Sequence, residues 1–171
     1  MKRFEFRKLQ SDSGFTMVEF LVSVVILSVG LIGLAGLQLT SLRDNSRAYM
    51  RSQASVSASD LADRVRANPA INYTAVTATE NTGCLSIPGC TANQMAQQDL
   101  FEWNAALPTE LDGGTGVICI DSTPNDGTSS ASASCDNSGV NFAIKIWWQD
   151  ERPDSNGVIA AAQRYTMSFR R

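Results

Sequence analysis

Histidine is absent from all 171 residues, and the four cysteines, Cys84, Cys90, Cys119 and Cys135, contain no C-x-x-C pair. The first absence removes the commonest general base for a serine or cysteine nucleophile. The two together argue against zinc, because gaps of five, 28 and 15 residues match no usual ligand spacing and no imidazole can complete a mixed site. There is no G-x-S-x-G elbow, and "GGTG" at 113–116 lacks the Lys and Ser/Thr of a phosphate-binding loop. Acidic neighbours such as Asp99 with Glu102, or Asp150 with Glu151, read as solvated surface charge rather than as catalytic pairs. No enzymatic activity, cofactor or metal site is expected.

Positive charge is also in short supply. The chain has 14 Lys and Arg against 17 Asp and Glu. Without residues 1–14, which hold Lys2, Arg3, Arg7, Lys8, Glu5 and Asp12, the balance is 10 to 15. An acidic domain repels phosphate backbones, so nucleic acid is not an expected partner.

Charge of either sign is missing from Phe20 to Leu42, a run of 23 residues. At about 1.5 Å rise per residue, a helix of that length crosses a hydrocarbon core of about 30 Å. Lys2, Arg3, Arg7 and Lys8 precede it, and Arg43, Arg47 and Arg51 follow it. The balance favours a cytoplasmic N-terminus. All four cysteines lie beyond the span, as an oxidising compartment requires for disulfides. Four cysteines allow three pairings, and local closure favours Cys84 with Cys90 and Cys119 with Cys135.

After the span, no Gly or Pro occurs before Pro69, and Ala54, Ala58, Leu61 and Val65 form an apolar stripe at helical spacing. One helix from about Phe15 to Asn68 is expected, far longer than a bilayer needs. Gly30, Gly33 and Gly36 fall within it; they suit either close packing against another helix or local softening. A second helix is expected in "TANQMAQQDLFEWNAALP", opened by a Thr91/Gln94 capping box, stopped by Pro108, and turning Ala96, Leu100, Trp103 and Leu107 to the core.

Three strands are expected in "GVICI", "NFAIKIWWQ" and "QRYTMSF". In the second, Phe142, Ile144, Ile146 and Trp148 alternate on one side; in the third, Tyr165, Met167 and Phe169 do. The Ser-rich stretch between the first two strands reads as an exposed loop tied back by Cys135, and "DERPDSNGVIA" as the hairpin connection before the last. The fold class is α+β: a long N-terminal, partly transmembrane helix packed on a small antiparallel β-sheet.

One charge interrupts the apolar N-terminal segment, Glu19. A charged residue in a span costs about 2.5 to 3.5 kcal/mol at the helix centre, less near an interface, and needs a reason. The basic leader has no apolar core of its own, and its small-residue junction, Ser13-Gly14, precedes the apolar run. An ordinary secretory signal places its cleavage site after the apolar run. The stretch "GFTMVEFLVSVVILSVGLIGL" resembles the class III signal of type IV prepilins and type II secretion pseudopilins, over roughly Lys8 to Leu42.

The resemblance implies residues 1–14 as leader, 15–42 as the hydrophobic transmembrane and filament-core helix, and 43–171 as a periplasmic globular domain of pilin fold. It also implies cleavage by a prepilin peptidase between Gly14 and Phe15, N-methylation of Phe15, and pairing of Glu19 with the amino terminus of a neighbouring subunit. Further along, "SQASVSASDLADRVRANP", "CTANQMAQQDLFEWNAALP" and "GVICID" are similar to minor pilins of the PilV family.

That similarity implies a subunit of a pilus-initiating complex at the pilus tip. Its partners would be other minor pilins, the major pilin and the inner-membrane assembly platform, with inner-membrane lipid around the helix before assembly. Two alternatives share the helix: a secretion pseudopilin, and a tip adhesin using the Ser-rich loop or an exposed Trp147.

Overall fold

The structure, a computed structural model, describes residues 14–150 and 161–170, apart from the side chain of Leu85. The chain divides into two compact units with the boundary between Asp44 and Asn45. Helix α1, Met17–Ala67, is continuous in sequence across that boundary. Two short 3-10 turns follow, Tyr73–Ala75 and Thr82–Leu85, then helix α2, Ala92–Glu110, and strands β1, Thr115–Ile120, β2, Phe142–Trp148, and β3, Gln163–Phe169.

In the N-terminal unit, the apolar side chains of α1 are exposed along its length. It is a helix long and apolar enough to cross a membrane. Three of its hydroxyl side chains are satisfied within the helix. Ser23, Ser28 and Thr40 donate their hydroxyls to the carbonyls of Glu19, Val24 and Gly36, four residues back, so they ask nothing of the surrounding lipid or protein. The helix runs unbroken through Gly30, Gly33 and Gly36, and nothing lies within 4 Å of where their Cβ atoms would be. Their open flank leaves room for another helix to approach closely.

In the second unit, Ala54, Ala58, Leu61 and Val65 are fully buried, as the stripe requires, and Ala62 joins them. This end of α1 contributes to one core with Leu100, Trp103 and Leu107 of α2 and with Phe142, Ile144, Ile146 and Trp148 of β2. The helix ends one residue before Asn68, which precedes Pro69 and is pushed out of helical geometry by the prolyl ring.

Helix α2 opens as its sequence demands: Thr91 Oγ1 accepts the Gln94 N–H, and Gln94 Oε1 accepts the Thr91 N–H. Pro108 does not stop it. The helix continues to Glu110, and the Leu111 N–H closes on the Leu107 carbonyl at 2.9 Å. In the last turn a proline costs one hydrogen bond, and the following amides still reach their acceptors.

The sheet is antiparallel throughout, in the order β1-β2-β3. Gly116 lets α2 approach β1: a Cβ there would meet Trp103 Cη2 at 2.3 Å. The alternation in β2 describes only half of its surroundings. All seven residues are buried, including Ala143, Lys145 and Trp147 on the side away from the core helices. The reason is the long β1–β2 connection, which folds back over that side. Cys119 of β1 is joined to Cys135 of the connection, and the Asn137 N–H bonds to the Ile120 carbonyl. Cys84 is joined to Cys90 in the loop before α2. The expected hairpin connection between β2 and β3 falls largely on 151–160, outside the described residues.

Candidate functional site

The N-terminal candidates form a short contiguous group. Gly14, Phe15 and Thr16 precede the first residue of α1, and all three are exposed. Nothing lies within 4 Å of the Cβ position of Gly14. A peptidase can therefore reach the Gly14 backbone without a side chain in the way. Phe15 is 72% exposed, so its ring has no seat within the chain.

Glu19 has a local role that its charge alone did not suggest. Thr16 Oγ1 accepts the Glu19 N–H at 3.3 Å, and the Thr16 carbonyl accepts the Phe20 N–H at 3.1 Å. Thr16 thus caps α1, and Thr16-Met17-Val18-Glu19 has the spacing of a capping box. A carboxylate in the first turn also faces the positive end of the helix dipole. The signal was present in the sequence as T-x-x-E; it was hidden because the apolar run made Glu19 look like an isolated intrusion. The cap engages the backbone of Glu19, and its side chain is exposed.

The four cysteines are all engaged, as Cys84–Cys90 and Cys119–Cys135. Cys119, Asp121 and Cys135 lie together, but the two sulfurs are bonded to each other and offer no thiolates to a metal.

Of the acidic groups read as surface charge, Asp99 and Asp150 are not, Glu102 is exposed, and Glu151 lies outside the described residues. Asp99 is buried. Tyr73 donates its hydroxyl to Asp99 Oδ2 at 2.6 Å, and Arg64 donates to Asp99 Oδ1 at 3.1 Å. The same guanidinium reaches Asp60 at 2.9 Å and Glu102 at 3.0 Å. One cation on α1 thereby holds two carboxylates of α2.

Partial burial opposes the charge of Arg64, but its hydrogen bond to Glu102 and its other carboxylate partners hold its pKa above the ordinary value. Burial and the bond to Asp99 raise that of Tyr73. Hydrogen bonds from Gln98 and then Arg64 lower that of Glu102. Asp150 also has a partner, Arg47, at 3.3 Å, and its side chain is nearly buried. These groups tie elements together. The contacts of Asp99 with Tyr73 and Arg64, of Glu102 with Arg64, and of Asp150 with Arg47 span 26 residues or more, a distance at which no periodicity signals them.

Trp147 is 2% exposed, so the exposed tryptophan expected of an adhesin is not there. The Ser-rich connection that would have shared that role instead covers the outer side of β2 and shields it. Beneath it, Lys145 is fully buried, with its Nζ 2.5 Å from Asp121, 2.6 Å from Asp126 and 2.7 Å from the Ala133 carbonyl. The ammonium is thus paired with two carboxylates and donates to Asp126 and to the Ala133 carbonyl. Burial works against the Lys145 charge, yet its bonds to Asp121 and Asp126 keep its pKa above the ordinary lysine value.

Residues 36–101 match a family model described as Tt1218-like, type IV pilin Tt1218. Residues 9–35 match the prokaryotic N-terminal methylation motif. No curated protein and no solved structure matches the chain. The matched pilin family is structural, not enzymatic, and the motif implies processing by a prepilin peptidase and assembly with other pilins. With the apolar N-terminal helix, the motif is consistent with membrane anchoring followed by entry into a pilus. The long apolar helix, the three-stranded sheet and these two matches together support a type IV pilin or pseudopilin.

Proposed function

We propose that this chain is a minor pilin of a type IV pilus, of the PilV kind. A prepilin peptidase removes residues 1–14, and Phe15 becomes the methylated amino terminus. The chain waits in the inner membrane with its N-terminus cytoplasmic and residues 43–171 periplasmic. It then joins other minor pilins on the inner-membrane assembly platform, in a complex that starts the filament and stays at its tip beside the major pilin.

The observation that carries this reading is the placement of Gly14 and Glu19 around the start of α1. A backbone without a side chain sits just ahead of a capped helix whose exposed apolar stretch bears one carboxylate. Cleavage at Gly14 would put a new positive amino terminus on Phe15, four residues from Glu19. The carboxylate of one subunit is then a partner for the amino terminus of the next. In an apolar setting each charge needs the other, since breaking a buried pair costs about 3 to 5 kcal/mol.

Intact mass of the protein extracted from membranes and from sheared filaments tests the processing step. The expected product begins at Phe15 and carries one added methyl group. A leader still attached in the filament fraction overturns it. Co-purification tests the assignment to the pilus. Recovery with minor pilins supports it, and recovery with secretion components instead transfers the chain to a pseudopilus.

A further inference from the structure

Gly14, Phe15 and Thr16 lie outside α1, which begins at Met17. Two hydrogen bonds fix that start. Thr16 Oγ1 accepts the Glu19 N–H at 3.3 Å, and the Thr16 carbonyl accepts the Phe20 N–H at 3.1 Å, the first bond of the helical ladder. The peptide bond between Gly14 and Phe15 is thereby left just ahead of the cap, in nonhelical backbone.

Where the helix starts decides whether that bond can be hydrolysed. In a helix reaching back to Gly14, the Gly14 carbonyl would accept the Val18 N–H, and the first turn would wall it in. Reacting atoms must come within about 3 to 3.5 Å in line with the carbonyl carbon, so a peptidase needs the bond outside the helix. The sequence offers the earlier start. Ser13 is itself a capping residue type, and a helix capped there would take Gly14 and Phe15 into its first turn. A start later than Met17 is disfavoured, because Met17 and Val18 are exposed apolar residues and lipid gives unpaired amides no acceptor. Thr16 and Ser13 therefore compete for the beginning of α1, and only the Thr16 start leaves the bond accessible.

We propose that Thr16 is a positioning residue for leader removal: by capping α1 at Glu19 it holds the Gly14–Phe15 bond out of the helix, where a peptidase can cut it. The proposal rests on the processing reading above and adds to it the residue that presents the bond. In the step itself, water adds across the amide and the C–N bond breaks. Gly14 keeps the water oxygen as a carboxylate, and the nitrogen leaves with a proton as the Phe15 amine. Thr16 takes no part in these transfers.

Purified prepilin peptidase acting on the full-length protein in detergent micelles tests this, with product mass locating the cut. Thr16→Val keeps the shape of the side chain and cannot cap; Thr16→Asn changes the shape and caps. Losing a cap shifts the balance between helix starts by about two- to thirty-fold. A substrate whose competent form is less populated binds more weakly in proportion, with turnover unaltered. Thr16→Val is therefore expected to raise KM by about two- to thirty-fold with kcat unchanged, and Thr16→Asn to match the parent. Gly-Phe occurs once in the chain, so 13C-carbonyl glycine with 15N-phenylalanine reports on this bond alone. Its carbonyl resonance is expected to move towards the helical value in Thr16→Val and to stay in place in Thr16→Asn.

Thr16→Val cut as efficiently as the parent overturns the proposal, as does slow cutting of Thr16→Val with the Gly14 carbonyl resonance unmoved. Thr16→Asn cut as slowly as Thr16→Val overturns it too, and assigns Thr16 a direct contact with the peptidase. A parent chain not cut between Gly14 and Phe15 overturns the processing reading itself.

Discussion

Lys145 and Asp121 form an ion pair of 2.5 Å in which both side chains are completely buried. Asp121 stands at the end of β1 and Lys145 in the middle of β2, so the pair pins the start of the long connection to the sheet it covers. Losing one partner strands a charge without water. Lys145→Met is expected to destabilise the globular unit by about 3 to 5 kcal/mol, whereas Lys145→Met with Asp121→Leu is expected to recover most of that loss. Thermal unfolding followed by near-UV circular dichroism checks both. A double variant as unstable as the single one would show that the pair contributes more than mutual neutralisation.

Alkaline pH is expected to weaken the same unit. Lys145 has a raised folded pKa, so its stabilising contribution is complete below the ordinary lysine value and is lost as pH climbs through the folded one. Tyr73 has the same sign, because the unfolded phenol ionises first. The unfolding midpoint should therefore fall above about pH 10, and Tyr73→Phe should reduce that dependence. Asp126 acts at the other end. Its pKa is lowered, first by Lys145, so its contribution is present at neutral pH and is lost as acid protonates it.

Gly116→Ala is expected to destabilise by about 1 to 3 kcal/mol, because the added methyl would overlap the Trp103 ring and α2 would have to move off β1. The Trp103 indole N–H bonds to the Ser57 carbonyl of α1, so the displacement should also appear as a shifted Trp103 indole resonance. An unchanged midpoint and resonance would contradict the close approach.

Cys119→Ser with Cys135→Ser frees the connection over β2. In the loop-closure account the loss is about 2 to 4 kcal/mol, and proteolysis should begin within residues 122–135, where the chain is exposed or half-buried throughout. Non-reducing peptide mapping of the parent should link Cys119 to Cys135 and Cys84 to Cys90. Crossed peptides would contradict both the structure and the expected local closure.

Glu19→Ala separates insertion from assembly. The variant loses a carboxylate that is costly in lipid, so it should still enter the membrane and lose residues 1–14. The Thr16 cap does not depend on the carboxylate, so α1 should keep its start. Its share in sheared filaments, relative to its membrane pool, is expected to fall sharply, because a neighbour's amino terminus would lack a partner. Equal incorporation would leave Glu19 with only its role in the first turn of the helix.

What the sequence determined by itself is whatever repeats at short range. The helix through Ala67, the capping box at Thr91, the three strands and the apolar faces of α2 and β2 all follow from periods of 3.6 or two and from residues within a few positions of one another. The apolar run with its glycine and glutamate belongs to the same class, since leader, junction and charge fall within 20 residues. Tertiary structure alone decided that β2 has no exposed side, that Lys145 is neutralised by Asp121 and Asp126, that Asp99 is clasped by Arg64 and Tyr73, and that Trp147 is buried instead of exposed. In the two ionic clusters the partners lie 19 to 35 residues away on another element or loop. A polar side chain in a strand reads as outward-facing until a loop folds over it, and only the folded chain supplies the acceptors that make its burial tolerable.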